Sequence, residues 1–201
     1  MQVCQDIMER LQTEPDLLRR VTTGDETWSF EYDPVTKRQS QKSVMLITFF
    51  NVRGLVHSEF LPQGQTINQQ VYREILWLLL RSVHEKRREL WQDKSWLLHH
   101  HNAPAHNALS IRQFLAEKNN AVLEQPPYSP DLAPCDFFLF PKVKGIIKGT
   151  LFEGVEAIER AVTTELRGIP EESFQQCIEA WPRRMEKCIR LEGDYLKGET
   201  M

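Results

Sequence analysis

The chain has 201 residues, 41% of them hydrophobic and 26% charged, with a formal net charge of -3. That is enough apolar material to bury a core in one large domain or two small ones. The acidic balance excludes a protein that grips nucleic acid over its whole surface, because phosphate binding rests on lysine and arginine. The longest apolar run, Ile75 to Leu80, falls far short of the roughly 18 residues that cross a bilayer, so no membrane partner is expected. Residues 1–10 lack the basic start and apolar run of a secretory signal. Cys4, Cys135, Cys177 and Cys188 form no C-x-x-C pair, which points to a reducing compartment, cytosol or nucleus.

Val21 to Tyr32 and Val44 to Val52 are rich in Val, Thr, Trp, Phe and Ile and read as a β-hairpin around the polar segment 33–43. Gly54 turns the chain into a third strand, Leu55 to Leu61, closed by Pro62 and Gly64. Thr66 with Gln69 has capping-box spacing, and Val71, Ile75, Leu78, Leu79 and Val83 repeat at helical intervals, predicting a helix over 67–88. Trp77 falls on its polar face with Arg73, Arg81 and His84. Ser95 to His100 is of strand length, Ala108, Ile111 and Leu115 predict a helix to Lys118, and Ala121 to Leu123 a short strand.

The Pro-rich stretch 126–134 must be loop, with a helix restarting near Cys135. Val155, Ile158, Val162 and Leu166 define a further helix ending at Gly168, and Pro170 with Glu171 and Glu172 opens the last one, whose buried face carries Phe174, Ile178, Trp181 and Met185. Pro182 lies inside that helix, where it removes the bond to the Ile178 carbonyl at a cost of about 3 kcal/mol. The expected fold class is α/β: a mixed sheet of three antiparallel strands, then helix, strand, helix, strand, with C-terminal helices. Basic stretches at Arg81 with Lys86, Arg87 and Arg88, and at Lys142, Lys144 and Lys148, are either local DNA contacts or solvated helix faces.

Three stretches place polar residues at the ends of adjacent strands: TGDETW (23–28), HHHNAPAH (99–106) and PPYSPDLAPCDFFLF (126–140). On a strand successive side chains alternate, so of the histidine triplet only His99 and His101 can point together. By the same rule Glu26 faces away from Asp25 and has a structural reading, while Asp131 reads as a turn-fixing residue.

In this order the three motifs resemble the catalytic domain of mariner-type DNA transposases, and the resemblance runs from about Gln2 to the end of the chain. It implies a ribonuclease-H-like fold, metal-dependent DNA cleavage and strand transfer, and Mg2+ or Mn2+ held by three aspartates. Two of these match Asp25 and Asp136. The third falls on His101, with 34 residues between it and Asp136, the family interval. A neutral imidazole in place of a carboxylate removes a negative charge and two hard oxygen ligands, so Mg2+ binding is expected to weaken.

Asn102, His106, Lys142 and Lys144 are the expected DNA contacts, with a supporting role at the site as the alternative for His106. Residues 1–20 are read as the remnant of an interdomain linker following lost end-recognition modules, 21–150 as the catalytic core, and 151–201 as its helical completion. Residues 33–43, with Lys37, Arg38 and Lys42, correspond to a shortened clamp loop. The resulting expectation is a catalytically dead transposase domain with weak, non-specific DNA binding, located in the nucleus. The alternatives are a domesticated module that forms homodimers or heterodimers with related transposases, and a residual nuclease using Asp25, His101 and Asp136.

Overall fold

The computed structural model describes residues 1–32, 39–148, 150 and 152–194. The β-branched and aromatic segments pair as expected. β1 (Val21–Tyr32), β2 (Gln39–Asn51) and β3 (Gly54–Leu61) form an antiparallel meander. β4 (Leu97–His100) then runs parallel to β1, and β5 (Ala121–Leu123) parallel to β4, giving the order β3-β2-β1-β4-β5. Of the segment 33–43, expected to be a shortened clamp loop, residues 33–38 lie outside the described residues, and 39–43 belong to β2, which starts at Gln39.

Alternation along the strands splits the core in two. Leu46, Phe50 and Leu97 face one layer, packed with Phe138, Val162, Phe174 and Trp181. Ile47, Phe49 and Leu98 face the other, packed with Tyr72, Leu76, Leu79 and Phe114. The first layer comprises α5 (Phe140–Ile147), α6 (Val155–Gly168) and α7 (Glu171–Arg190), together with α1 (Gln2–Thr13), whose Cys4 and Ile7 are buried beside α7. The first residues therefore contribute a helix to the core through Val3, Cys4, Ile7, Met8 and Leu11, an apolar helical spacing that the linker reading of 1–20 left out. The second layer is α2 (Gln69–Lys86), the short α3 (Arg88–Gln92) and α4 (Leu109–Glu117).

Several boundaries differ from the sequence reading. The cap of α2 is Asn68 and not Thr66: its side chain accepts from the Gln70 and Val71 amides at 2.9 and 3.0 Å, satisfying two of the orphan donors of the first turn. With that start the buried stripe becomes Tyr72, Ile75, Leu76, Leu79, Leu80 and Val83, and Leu78 turns outward. The helix breaks at Arg87 because that side chain is used inward: Nε donates to Asn51 Oδ1 at 3.1 Å and the guanidinium also reaches the Lys86 and Gly54 carbonyls. Lys86 Nζ donates to Val56 O at 2.7 Å. These two cations pin β3 and the β2–β3 turn to α2, so the basic run 86–88 is in part structural and not a free phosphate contact. Trp77, half exposed, packs its edge on Phe114 with Lys118 Nζ 4.2 Å above its ring, so it is tied into the α2–α4 surface.

Candidate active site

Parallel pairing of β1 with β4 aligns Thr23 with His99 and Gly24 with His100. One step further along both strands stand Asp25 and His101. Their side chains meet: His101 Nδ1 lies 3.4 Å from Asp25 Oδ2, while Asp25 Oδ1 accepts the Glu26 amide at 2.8 Å. Asp25 is 6% exposed and the His101 side chain about half exposed, so the pair sits at the mouth of the sheet edge.

Asp136 arrives from the other direction. The prolines of 126–134 exclude ladder and helix, and the chain re-enters helix as a wide π turn, Cys135–Leu139, leading into α5. Asp136 is on the first turn of that segment, and its neighbours Phe137, Phe138 and Leu139 are buried. Burial, and then the Asp25 charge, push the Asp136 carboxyl up to about 6. The His101 imidazole is held above its ordinary value by its bond to Asp25, with Glu26 and Asp136 adding to the negative field. Asp25 and His101 are thus in contact, and Asp136 lies within reach of their charges.

The histidine triplet divides as alternation requires. His99 turns to the α7 side, where it contacts Thr23, Gln125 and the Trp181 ring. His100 turns to the α2 side, with Nδ1 2.7 Å from the Tyr72 hydroxyl. Glu26 also faces this second side, its Oε2 3.4 Å from His106 Nε2. Burial, and then the Asp25 carboxylate, raise Glu26 to about 8. His106 is stacked on Tyr72 at 3.8 Å and, with Nδ1 donating, holds the His101 carbonyl at 3.0 Å. At 1% exposure it offers DNA no surface, so of its two expected roles the supporting one fits the geometry: it fixes the backbone of His101.

The remaining expected DNA contacts stay accessible. Asn102 is exposed next to His101, with its amide nitrogen donating to the Gln125 carbonyl. Lys144 is exposed on α5 and close enough to lower the Asp136 carboxyl somewhat, and Lys142, part-buried, lies 5.3 Å over the Phe138 ring. Residues to which the sequence reading gave no part in the site are Tyr72, Gln125 and Trp181. They are far apart in sequence from the histidines they hold, so no local pattern marks them.

The donor set suits a divalent cation only in part. Burial, and then the Asp25 charge, raise the Asp136 carboxyl, and a cation beside these two groups would offset that charge. The third position supplies an imidazole that is tied to Asp25. Among the described residues no three Asp, Glu, His or Cys side chains converge closely enough to hold an ion.

A mixed sheet with Asp25 on β1 and His101 just past the adjacent β4, joined by Asp136 at the start of a helical segment, has the ribonuclease-H-like architecture. Residues 25–93 match the family model described as transposase, partial DDE domain. The Mariner Mos1 transposase of Drosophila mauritiana is 29% identical over 211 residues, a match covering 96% of this chain and 61% of that protein. The solved catalytic domain of Mos1 transposase superposes with a TM-score of 0.87 at 30% identity, covering 98% of this chain and 93% of that one. The pre-cleavage Mos1 transpososome gives 0.91 at 29% identity, covering 98% and 62%. The Mos1 domain has also been solved with Mn and with Mg, each at TM-score 0.88, 29% identity and coverage of 98% and 94%. The chain belongs to the mariner-type transposases, matching their catalytic domain.

Proposed function

We propose that this chain is a mariner-type catalytic domain in which metal-dependent DNA cleavage and strand transfer are disabled at His101, leaving weak, sequence-independent DNA binding in the nucleus. The observation that carries the reading is the imidazole lying against the Asp25 carboxylate at the position of the second ligand. When bound, two divalent ions would clamp the attacking and leaving oxygens of a phosphodiester. Asp25 and Asp136 are the residues that would hold them, and His101 competes for an Asp25 oxygen. Mg2+ prefers oxygen, whereas Mn2+ tolerates the nitrogen of a mixed set, so the native site should favour Mn2+. Asn102, Lys142 and Lys144 would line the nucleic acid's path next to the carboxylates, matching the absence of a strongly basic composition elsewhere.

Calorimetric titration of Mg2+ and Mn2+ into the native chain and into His101→Asp tests this. Even an outer partner of a ligand changes metal affinity by about 10–100-fold, so restoring the carboxylate should tighten Mg2+ by at least about tenfold. Equal Mg2+ affinity in the two proteins would overturn the reading.

A second reading, an interaction module pairing with itself or with related transposases, draws on one observation. Trp77 and Leu78 on α2 and Leu109 on α4 are large apolar side chains left exposed. Light scattering on the purified chain separates the two: a strict monomer at all concentrations rules self-pairing out.

A further inference from the structure

Three segments carry Asp25, His101 and Asp136, and a directed run of buried hydrogen bonds joins them. Two residues before Asp25, the Thr23 hydroxyl lies 2.8 Å from His99 Nδ1. Two residues before His101, His99 presents Nε2 to Gln125 Oε1 at 2.7 Å. The Gln125 side-chain nitrogen then donates to the Ser129 carbonyl at 2.7 Å, inside the loop that leads to Asp136.

The last bond sets the direction of the others. A carbonyl only accepts, so the Gln125 nitrogen must face Ser129 and its oxygen must face His99. His99 therefore carries its proton on Nε2 and accepts the Thr23 hydroxyl at Nδ1. Reversing the amide would set its oxygen against the Ser129 carbonyl, two acceptors with no proton between them. Thr23, His99 and Gln125 are 1%, 2% and 5% exposed, so water cannot replace a lost partner cheaply.

Gln125 is also held through its backbone, since the Asn102 amide donates to its carbonyl. Behind His99, the Trp181 ring packs edge-on at 4.7 Å while its N–H donates to Leu132 O at 2.8 Å, fastening the same loop to α7.

We propose that His99 and Gln125 are positioning residues for the ligand carboxylates: they set the distance between the part of β1 that carries Asp25 and the Pro-rich loop, which delivers Asp136. The alternative is a self-satisfied polar patch whose loss costs stability and nothing else. The inference rests on Asp25 and Asp136 being the metal-binding pair, and the test keeps the two apart.

The experiment is nuclear magnetic resonance on the full labelled chain, comparing native, His99→Leu, His99→Gln, Gln125→Leu and Asp25→Ala, with thermal unfolding in parallel. The readouts are the Asp136 amide and carboxyl-carbon resonances, and the Mn2+ concentration that broadens them. Positioning predicts that His99→Leu and Gln125→Leu shift the Asp136 resonances and raise that concentration about tenfold. His99→Gln, which can still donate to Gln125, should restore the native position to within about twofold of native Mn2+ sensitivity.

Unchanged Asp136 resonances in His99→Leu and Gln125→Leu would overturn the proposal, as would equal effects of Leu and Gln at 99 that simply follow melting temperature. If His99→Leu fails to fold, Gln125→Leu and His99→Gln carry the same decision. If Asp25→Ala leaves Mn2+ broadening unaltered, the ligand assignment fails, while the Asp136 resonances still decide the positioning role.

Discussion

Gly24 offers a prediction whose sign is opposite to what propensity alone would give. Glycine in the interior of a strand is worse than alanine by about 0.5–1 kcal/mol, because it loses more backbone entropy on folding. By that measure Gly24→Ala should stabilise β1. In the fold, however, Gly24 pairs with Phe49 across β1 and β2, and a Cβ at 24 would stand 2.0, 2.3 and 2.7 Å from the Phe49 ring atoms Cδ1, Cε1 and Cγ. Phe49 is fully buried among Ile47, Val56 and Tyr72, so its ring has nowhere to go without shifting the α2 side of the core.

Overpacking of this kind costs typically about 1–3 kcal/mol, and contact this close belongs at the upper end even after the entropic gain is subtracted. A net loss of about 2 kcal/mol corresponds to a fall in Tm of roughly 4–8 °C for a domain of this size. Urea unfolding followed by circular dichroism should show it. Phe49→Ala alone should cost about 3–5 kcal/mol. The double variant should lose at least about 1 kcal/mol less than the two singles together, because the methyl group added at position 24 fills part of the cavity. A Gly24→Ala protein within about 0.5 kcal/mol of native, or strict additivity in the cycle, would refute the reasoning.

Two further outcomes follow from buried groups. Burial holds His99, His100 and His106 down to about 4, 3 and 4, so their contribution is full above the unfolded value near 6.5 and is lost as pH falls through these values. Glu26, up at about 8, and Asp136, up at about 6, act oppositely, their contributions being lost as pH rises. Denaturation midpoints should therefore peak at about pH 6 and fall on both sides, and a steady rise from pH 5 to 8 would contradict the assignment. Pro182 stands inside α7 and gives no bond to the Ile178 carbonyl, so Pro182→Ala should raise stability by up to about 3 kcal/mol, read as a higher Tm, whereas an unchanged or lower Tm would mean that the helix is shaped around the proline.

Much of this architecture was legible because its signals are local. The β-branched stretches from Val21 to Leu61 alternate in a way only a half-buried sheet satisfies, and α6 and α7 bury the apolar positions that their periodicity marks. The candidate site was suggested for another reason: the resemblance carried by TGDETW, HHHNAPAH and PPYSPDLAPCDFFLF implies that His101 stands at a ligand position, and the structure sets it against Asp25.

What escaped the sequence depends on partners distant along the chain. Asn68 displaced Thr66 as the cap because both residue types fit the start signal and only the chain path decides which side chain reaches the amides. The basic run at 86–88 looked like a solvent or phosphate face until the Asn51 and Val56 acceptors, about 30 residues away, were in place. The π turn at Cys135–Leu139 leaves no mark in an apolar segment that also reads as ordinary helix. The bonds of His99 to Thr23 and Gln125 join strands that only the parallel pairing of β4 brings together.

The most direct test of the account is a nicking assay on supercoiled plasmid in Mg2+ and in Mn2+, with the native chain, His101→Asp and Asp25→Ala side by side. The account predicts that only His101→Asp nicks in Mg2+ and that Asp25→Ala is silent in both metals. Mg2+-dependent nicking by the native chain that vanishes in Asp25→Ala would show that His101 serves as a working ligand and would contradict the central claim.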